Sequence, residues 1–101
     1  MDHAEEVIAA LKRHEAELKE LGILRLSLFG STARGQASKR SDIDLSVQLT
    51  QGPRGLAHLE RLDAIRARLE AILGAPVDLV EEPSDLPRLQ REIEKDRVLA
   101  F

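Results

Sequence analysis

Two runs of strand-like alternation, separated by a polar turn that opens on glycine, constrain this chain more than any other feature. The first run, Ile23 to Phe29, sets Leu24, Leu26 and Leu28 on one face and Arg25 and Ser27 on the other. Gly30-Ser31 follows, then ten residues, then a second run, Asp42 to Leu49, that alternates cleanly. Side chains two apart on a strand share a face. Asp42 and Asp44 therefore project together, roughly 7 Å apart at Cα, while Ile43, Leu45 and Val47 point the opposite way into a core. Two carboxylates held side by side repel unless a cation lies between them, and a divalent metal is the usual one.

The flanking segments predict helices that cover such a sheet. Residues 3–21 place Ala4, Val7, Ile8, Leu11, Leu18 and Leu21 at helical steps, with Asp2 and Glu5 offering an N-terminal cap and Gly22 a stop. Ser31 is placed to cap a short helical turn through Arg34. A Gly- and Pro-rich loop at 50–55 leads into a second long helix marked by Leu56, Leu59, Leu62, Ile65, Leu69, Ile72 and Leu73, which Gly74 and Pro76 end. Val77 to Val80 reads as a short third strand. Pro83-Ser84-Asp85 then caps a last helix carrying Leu86, Leu89 and Ile93, with Pro87 tolerable only in its first turn. Val98 to Phe101 forms a terminal strand or packs on the core. The order predicts an α/β layer, one small sheet against helices.

Size and composition narrow the function. A chain of 101 residues suits one domain, 1–101, with one core. The net charge of −3 supplies no broad basic field, so binding to long nucleic acid by charge alone is not expected. Phe29 and Phe101 are the only aromatics, which leaves no stacking platform for bases. Without cysteine there is no disulfide framework and no thiolate nucleophile. No apolar run approaches a membrane span or a signal-peptide core, so a soluble, cytoplasmic protein is expected.

The glycine turn and the acids together suggest a chemistry. Gly30 permits close backbone approach, and Ser31 adds a hydroxyl beside the free N–H groups that open a short helix, where phosphate is favoured. Paired aspartates hold one or two Mg2+ ions through oxygen, and such ions activate an attacking oxygen and stabilise a leaving one. Asp78, alone among apolar neighbours in Val77-Asp78-Leu79-Val80, is a buried-charge liability unless it has a partner. Were its strand to lie beside Asp42-Ile43-Asp44, it would join them as metal ligand and as general base for an incoming hydroxyl. Alone, Asp-x-Asp describes a solvated strand face. Preceded by Gly-Ser at this spacing, it describes equipment for moving a phosphorus group from a nucleoside triphosphate. Glu81 and Glu82 fall in the following loop and are read as solvated. Arg34 either holds the turn, pairing with Asp42, or contacts phosphate. Lys39 and Arg40 face solvent or the triphosphate, Ser41 shapes the turn, and His3, His14 and His58 have no metal-ligand spacing.

Gly-Ser, ten residues, Asp-x-Asp and a third Asp on a later strand resemble the nucleotidyltransferase superfamily that includes DNA polymerase beta. The fuller string, Gly30-Ser31-x-Ala33-Arg34-Gly35 ending in Ser41-Asp42-Ile43-Asp44-Leu45, is similar to its smallest branch, the prokaryotic minimal nucleotidyltransferases (MNT), often encoded beside a HEPN-domain protein. The resemblance covers most of the chain. It implies the α/β (α+β) nucleotidyltransferase core with a mixed sheet, a triphosphate turn at Gly30 and Ser31, and metal carboxylates at Asp42, Asp44 and Asp78. It further implies an antitoxin that moves AMP from ATP to a tyrosine of a HEPN ribonuclease toxin. Two other functions stay open: an antitoxin that neutralises its partner by occlusion, and a small transferase acting on RNA ends or a hydroxylated small molecule. The acidic balance counts against the last.

Overall fold

The computed structural model describes residues 3–36 and 42–101. Its elements are α1 (His3–Arg13), α2 (Glu15–Glu20), β1 (Ile23–Leu28), α3 (Gly30–Ala33), β2 (Ile43–Leu49), α4 (Leu56–Leu73), β3 (Val77–Glu81), α5 (Pro87–Asp96) and β4 (Val98–Leu99). The strands form a mixed sheet in the order β3-β2-β1-β4. β1 is antiparallel to both β2 and β4, whereas β2 and β3 are parallel. Parallel neighbours need a crossover, and α4 supplies it. The expected α/β (α+β) architecture, a small mixed sheet packed against helices, is the fold observed.

One face of the sheet is apolar. Leu26, Leu28, Ile43, Leu45 and Val47 bury against Leu11, Leu18, Ile65 and Leu69 of the helices. The opposite face carries Ser27, Asp44, Ser46 and Asp78, which the registers Ser27↔Ser46 and Asp44↔Asp78 bring into rows. Among the described residues no helix is long and apolar enough to cross a membrane.

Four local expectations are corrected. The single helix over 3–21 is broken at His14: its ring Nδ1 lies 2.9 Å from the Ala10 carbonyl, the acceptor a continuing helix would give to the His14 amide. That amide instead donates to Leu11 O at 3.1 Å, tightening the turn. Asp2, the expected cap, lies outside the described residues. Leu24 is not a core residue. The β1–β2 register slips between Ile23↔Leu49 and Arg25↔Gln48, so Leu24 is the extra residue of a bulge and 59 % exposed.

In α4 the covered stripe starts at Leu62, and Leu56 and Leu59 stand in solvent at 73 % and 61 % exposure. The α5 cap also differs. Leu86 is the N-cap residue, without a side-chain bond, while the Ser84 hydroxyl accepts from the Leu86 amide at 3.1 Å and only shapes the approach. Pro87 does occupy the first turn, where its missing N–H costs nothing. Gly74 ends α4 as expected, in the left-handed conformation with its amide on Glu70 O at 2.8 Å.

Candidate active site

β1 and β2 part company at Phe29. The register Leu28↔Leu45 sets Phe29 opposite Asp44. In a continuing antiparallel ladder these two would exchange both backbone hydrogen bonds. Only one is made: the Phe29 amide donates to Asp44 O at 3.2 Å. The Phe29 carbonyl turns instead into α3 and accepts from the Ala33 amide, also at 3.2 Å. The Asp44 amide, left without its strand partner, donates to the Thr32 hydroxyl at 2.9 Å. Thr32 is fully buried. In the sequence Thr32 carries no motif of its own; a small hydroxyl one step beyond Gly-Ser is the available signal.

The turn also touches the Asp44 carboxylate. The Ser31 hydroxyl donates to Asp44 Oδ2 across 3.5 Å, a long bond. Ser31 thus lies inside α3 rather than capping it, because Phe29 is the N-cap. Gly30 has φ +57°, and a Cβ there would stand 2.8 Å from Asp44 Oδ2. Its lack of a side chain is what admits the carboxylate. Gly30→Ala is therefore expected to cost about 1–2 kcal/mol through left-handed strain alone. It should also push Asp44 off its position. Urea denaturation reads the first effect, and an unchanged midpoint would contradict this account of the turn.

The three acids stand differently. Asp44 is half-buried on the polar face of β2, and Asp78 stands beside it in β3 through the parallel register. Burial pushes the Asp44 carboxyl above its ordinary range. The Asp78 charge adds to this, as do Glu92 on α5 and Asp42, against the opposing Ser31 bond. Asp42 is exposed and lies one residue before β2, so the second strand opens at Ile43. Asp78 is exposed too, on an edge strand, and so is not the buried charge its apolar neighbours suggested.

Among the described residues no three His, Cys, Asp or Glu side chains are gathered into a ready metal cage. Asp44 nonetheless fits a hard cation. It is a half-buried carboxylate beside like charges, with oxygen donors only. Mg2+ commonly takes one or two protein carboxylates and fills its shell with water and substrate phosphate.

Arg34 reaches away from these acids. Its Nη1 donates to Asp96 Oδ2 at 2.5 Å and its Nε to Gln36 at 3.0 Å, so its partner is Asp96 of α5 rather than Asp42. Lys39, Arg40 and Ser41 lie outside the described residues. Neither Glu81 nor Glu82 is the solvated loop acid expected, although Glu82 does lie just past the end of β3. Glu81 ends β3 and meets His58 of α4 at 2.6 Å, which occupies that histidine. Glu82 is buried on the opposite face, where Arg97 clasps it through two bonds of 2.6 and 2.8 Å.

A family model for the nucleotidyltransferase domain matches residues 11–100. The protein adenylyltransferase MntA of Thermococcus cleftensis is 38% identical over 81 residues, covering 79% of this chain and 78% of that one. A solved structure provisionally assigned as a minimal nucleotidyltransferase superposes with a TM-score of 0.77 at 32% identity, covering 97% of this chain and 95% of the other. A chain from the complex of tri-AMPylated HEPN toxin of Shewanella oneidensis with its MNT antitoxin shares the fold, with TM-score 0.56 at 21% identity. That match covers 89% of this chain and 71% of the other.

Proposed function

Because this chain belongs to the nucleotidyltransferase domain family, we propose that it moves AMP from ATP to a tyrosine hydroxyl of a partner HEPN ribonuclease toxin and so acts as its antitoxin. That it is a nucleotidyltransferase enzyme follows from the family. The observation that carries the finer reading is Asp44, seated against the Gly30-Ser31 turn with Asp78 beside it in register. The adenylyltransferase name of the Thermococcus relative supports AMP as the group moved. The Shewanella complex, matched in fold, supplies the class of partner to try first.

Each residue has a role in this reading. Gly30 and Ser31 seat the triphosphate, whose negative charge is favoured at amides outside a helix's own ladder. Asp42 and Asp44 would hold one or two Mg2+ ions, and the chemistry such ions supply is neutralisation of phosphate charge. The acceptor oxygen attacks the α-phosphorus, the bond to pyrophosphate breaks, and the hydroxyl proton passes to Asp78 as general base. Arg34, at the C-terminal end of α3, ties that turn to α5 through Asp96.

The test mixes the chain, ATP, Mg2+ and a HEPN-domain toxin, and reads intact mass. A partner heavier by one or more AMP units is the expected outcome. A tight complex of unchanged mass would overturn transfer in favour of occlusion.

A further inference from the structure

We propose that Thr32 is a positioning residue for the metal-binding carboxylate: its buried hydroxyl stands in for the missing strand bond and locks Asp44 against the phosphate turn. The proposal rests on the nucleotidyl-transfer reading and adds to it a residue outside the acids and the Gly-Ser pair. Its ground is the switch of partners at Phe29. That carbonyl serves two competing donors, the Asp44 amide of a continuing ladder and the Ala33 amide of α3, and the helix takes it. A buried amide left unpaired is costly. Thr32 Oγ1 removes that cost at 2.9 Å and couples the two halves of the site in one contact.

Three consecutive residues then meet Asp44 at two points, its carboxylate and its backbone amide. Gly30 makes room for the carboxylate, Ser31 donates to it, and Thr32 holds the backbone from which it projects. The Ser31 bond is too long to fix the carboxylate by itself. Without Thr32, the hydrogen bonds left among the described residues to set the start of β2 against the α3 turn are the Phe29–Asp44 backbone bond and the long Ser31 bond. A backbone shift of about 1 Å at a ligand-bearing residue is enough to cost a hundredfold in rate.

The test uses three full-length proteins, wild type, Thr32→Val and Thr32→Ser, each checked for folding by circular dichroism. Valine keeps the shape and removes the acceptor, whereas serine restores it. The readout is affinity for a non-hydrolysable ATP analogue with and without Mg2+. Thr32→Val is expected to weaken the Mg2+-dependent part about tenfold and spare the metal-free part, with Thr32→Ser within about twofold of wild type. A merely structural threonine would lower the melting temperature and leave the metal dependence intact, and that result overturns the proposal. So does a serine variant as weak as the valine one.

Should the valine variant fail to fold, amide exchange on the wild type decides. An Asp44 amide that exchanges as fast as that of exposed Asp42 overturns the proposal. Neither measurement needs an acceptor protein, so a chain that binds nucleotide this way but leaves the HEPN protein unmodified refutes only the proposed acceptor.

Discussion

Asp44→Asn is expected to lower nucleotidyl transfer by about a thousandfold or more without lowering the stability of the free protein. The two halves of that expectation have one cause. Asparagine keeps the size of aspartate and can still meet Ser31, but it removes a charge that Asp78, Glu92 and Asp42 oppose and that burial penalises. An acid whose folded pKa is raised destabilises the fold at neutral pH, where it must carry its charge. The variant should therefore melt at or above the wild-type temperature when neither metal nor nucleotide is present. Asp42→Asn should abolish transfer as well, yet leave melting unchanged, because Asp42 is exposed and lies outside β2. Labelling of the partner by radiolabelled ATP measures the first effect and calorimetry the second. Wild-type transfer by Asp44→Asn would end the metal-carboxylate reading.

The second large effect is on stability. Glu82→Ala is expected to destabilise the protein by about 2–3 kcal/mol, because removing one partner of a buried pair strands the other. For a domain of this size that is a drop of about 10–20 °C in Tm. The Glu82 side chain is only 4% exposed and that of Arg97 24%, which places the expectation below the full cost of a wholly buried pair. The pair ties four pieces of chain together. Glu82 follows β3, Arg97 joins α5 to β4, Gln90 of α5 donates to Glu82 at 3.0 Å, and Arg97 also donates to Ser27 of β1 at 3.2 Å.

A pH dependence follows from the same contacts. Burial alone would raise the Glu82 carboxyl, but the bonds from Arg97 and Gln90 and the Arg97 charge outweigh it and hold the value below the ordinary glutamate value. The stabilisation is therefore complete above the unfolded pKa and is lost as pH falls through the lower folded one. Urea melts from neutral to acid pH should show this limb in the wild type and lack it in Glu82→Gln. A variant with the wild-type acid limb would rule out this carboxyl as its origin.

The legible parts of the sequence were those governed by local periodicity. Asp-Ile-Asp-Leu-Ser-Val declares which side chains go to the core, and Ile43, Leu45 and Val47 do. The helix ending at Gly74 and the proline in the first turn of α5 are equally local statements. What the sequence hid was set by contacts across the chain or by one slipped residue. Leu24 fits the alternation of β1 and is ejected by a bulge that only the pairing with β2 defines. Arg34 is matched by Asp96, 62 residues away. Glu81 and Glu82 look alike before Pro83, yet strand alternation sends one to His58 of α4 and the other under Arg97. In the site itself, Asp44 and the Gly-Ser turn were legible as motif, and Asp78 required the parallel pairing of β3. Thr32 was silent because its role exists only where the ladder fails.

The sheet order gives the two principal acids different freedoms. Asp44 sits on an inner strand with neighbours on both sides, whereas among the described residues β3 borders only β2 and carries Asp78 on an edge. An inner strand drifts little as a sequence changes, while an edge strand shifts, lengthens or gains a neighbour at small cost. Divergence in this architecture would therefore leave the nucleotide half unaltered and spend its variation beside β3. Lineages could exchange one recipient of the transferred group for another without rebuilding the donor side.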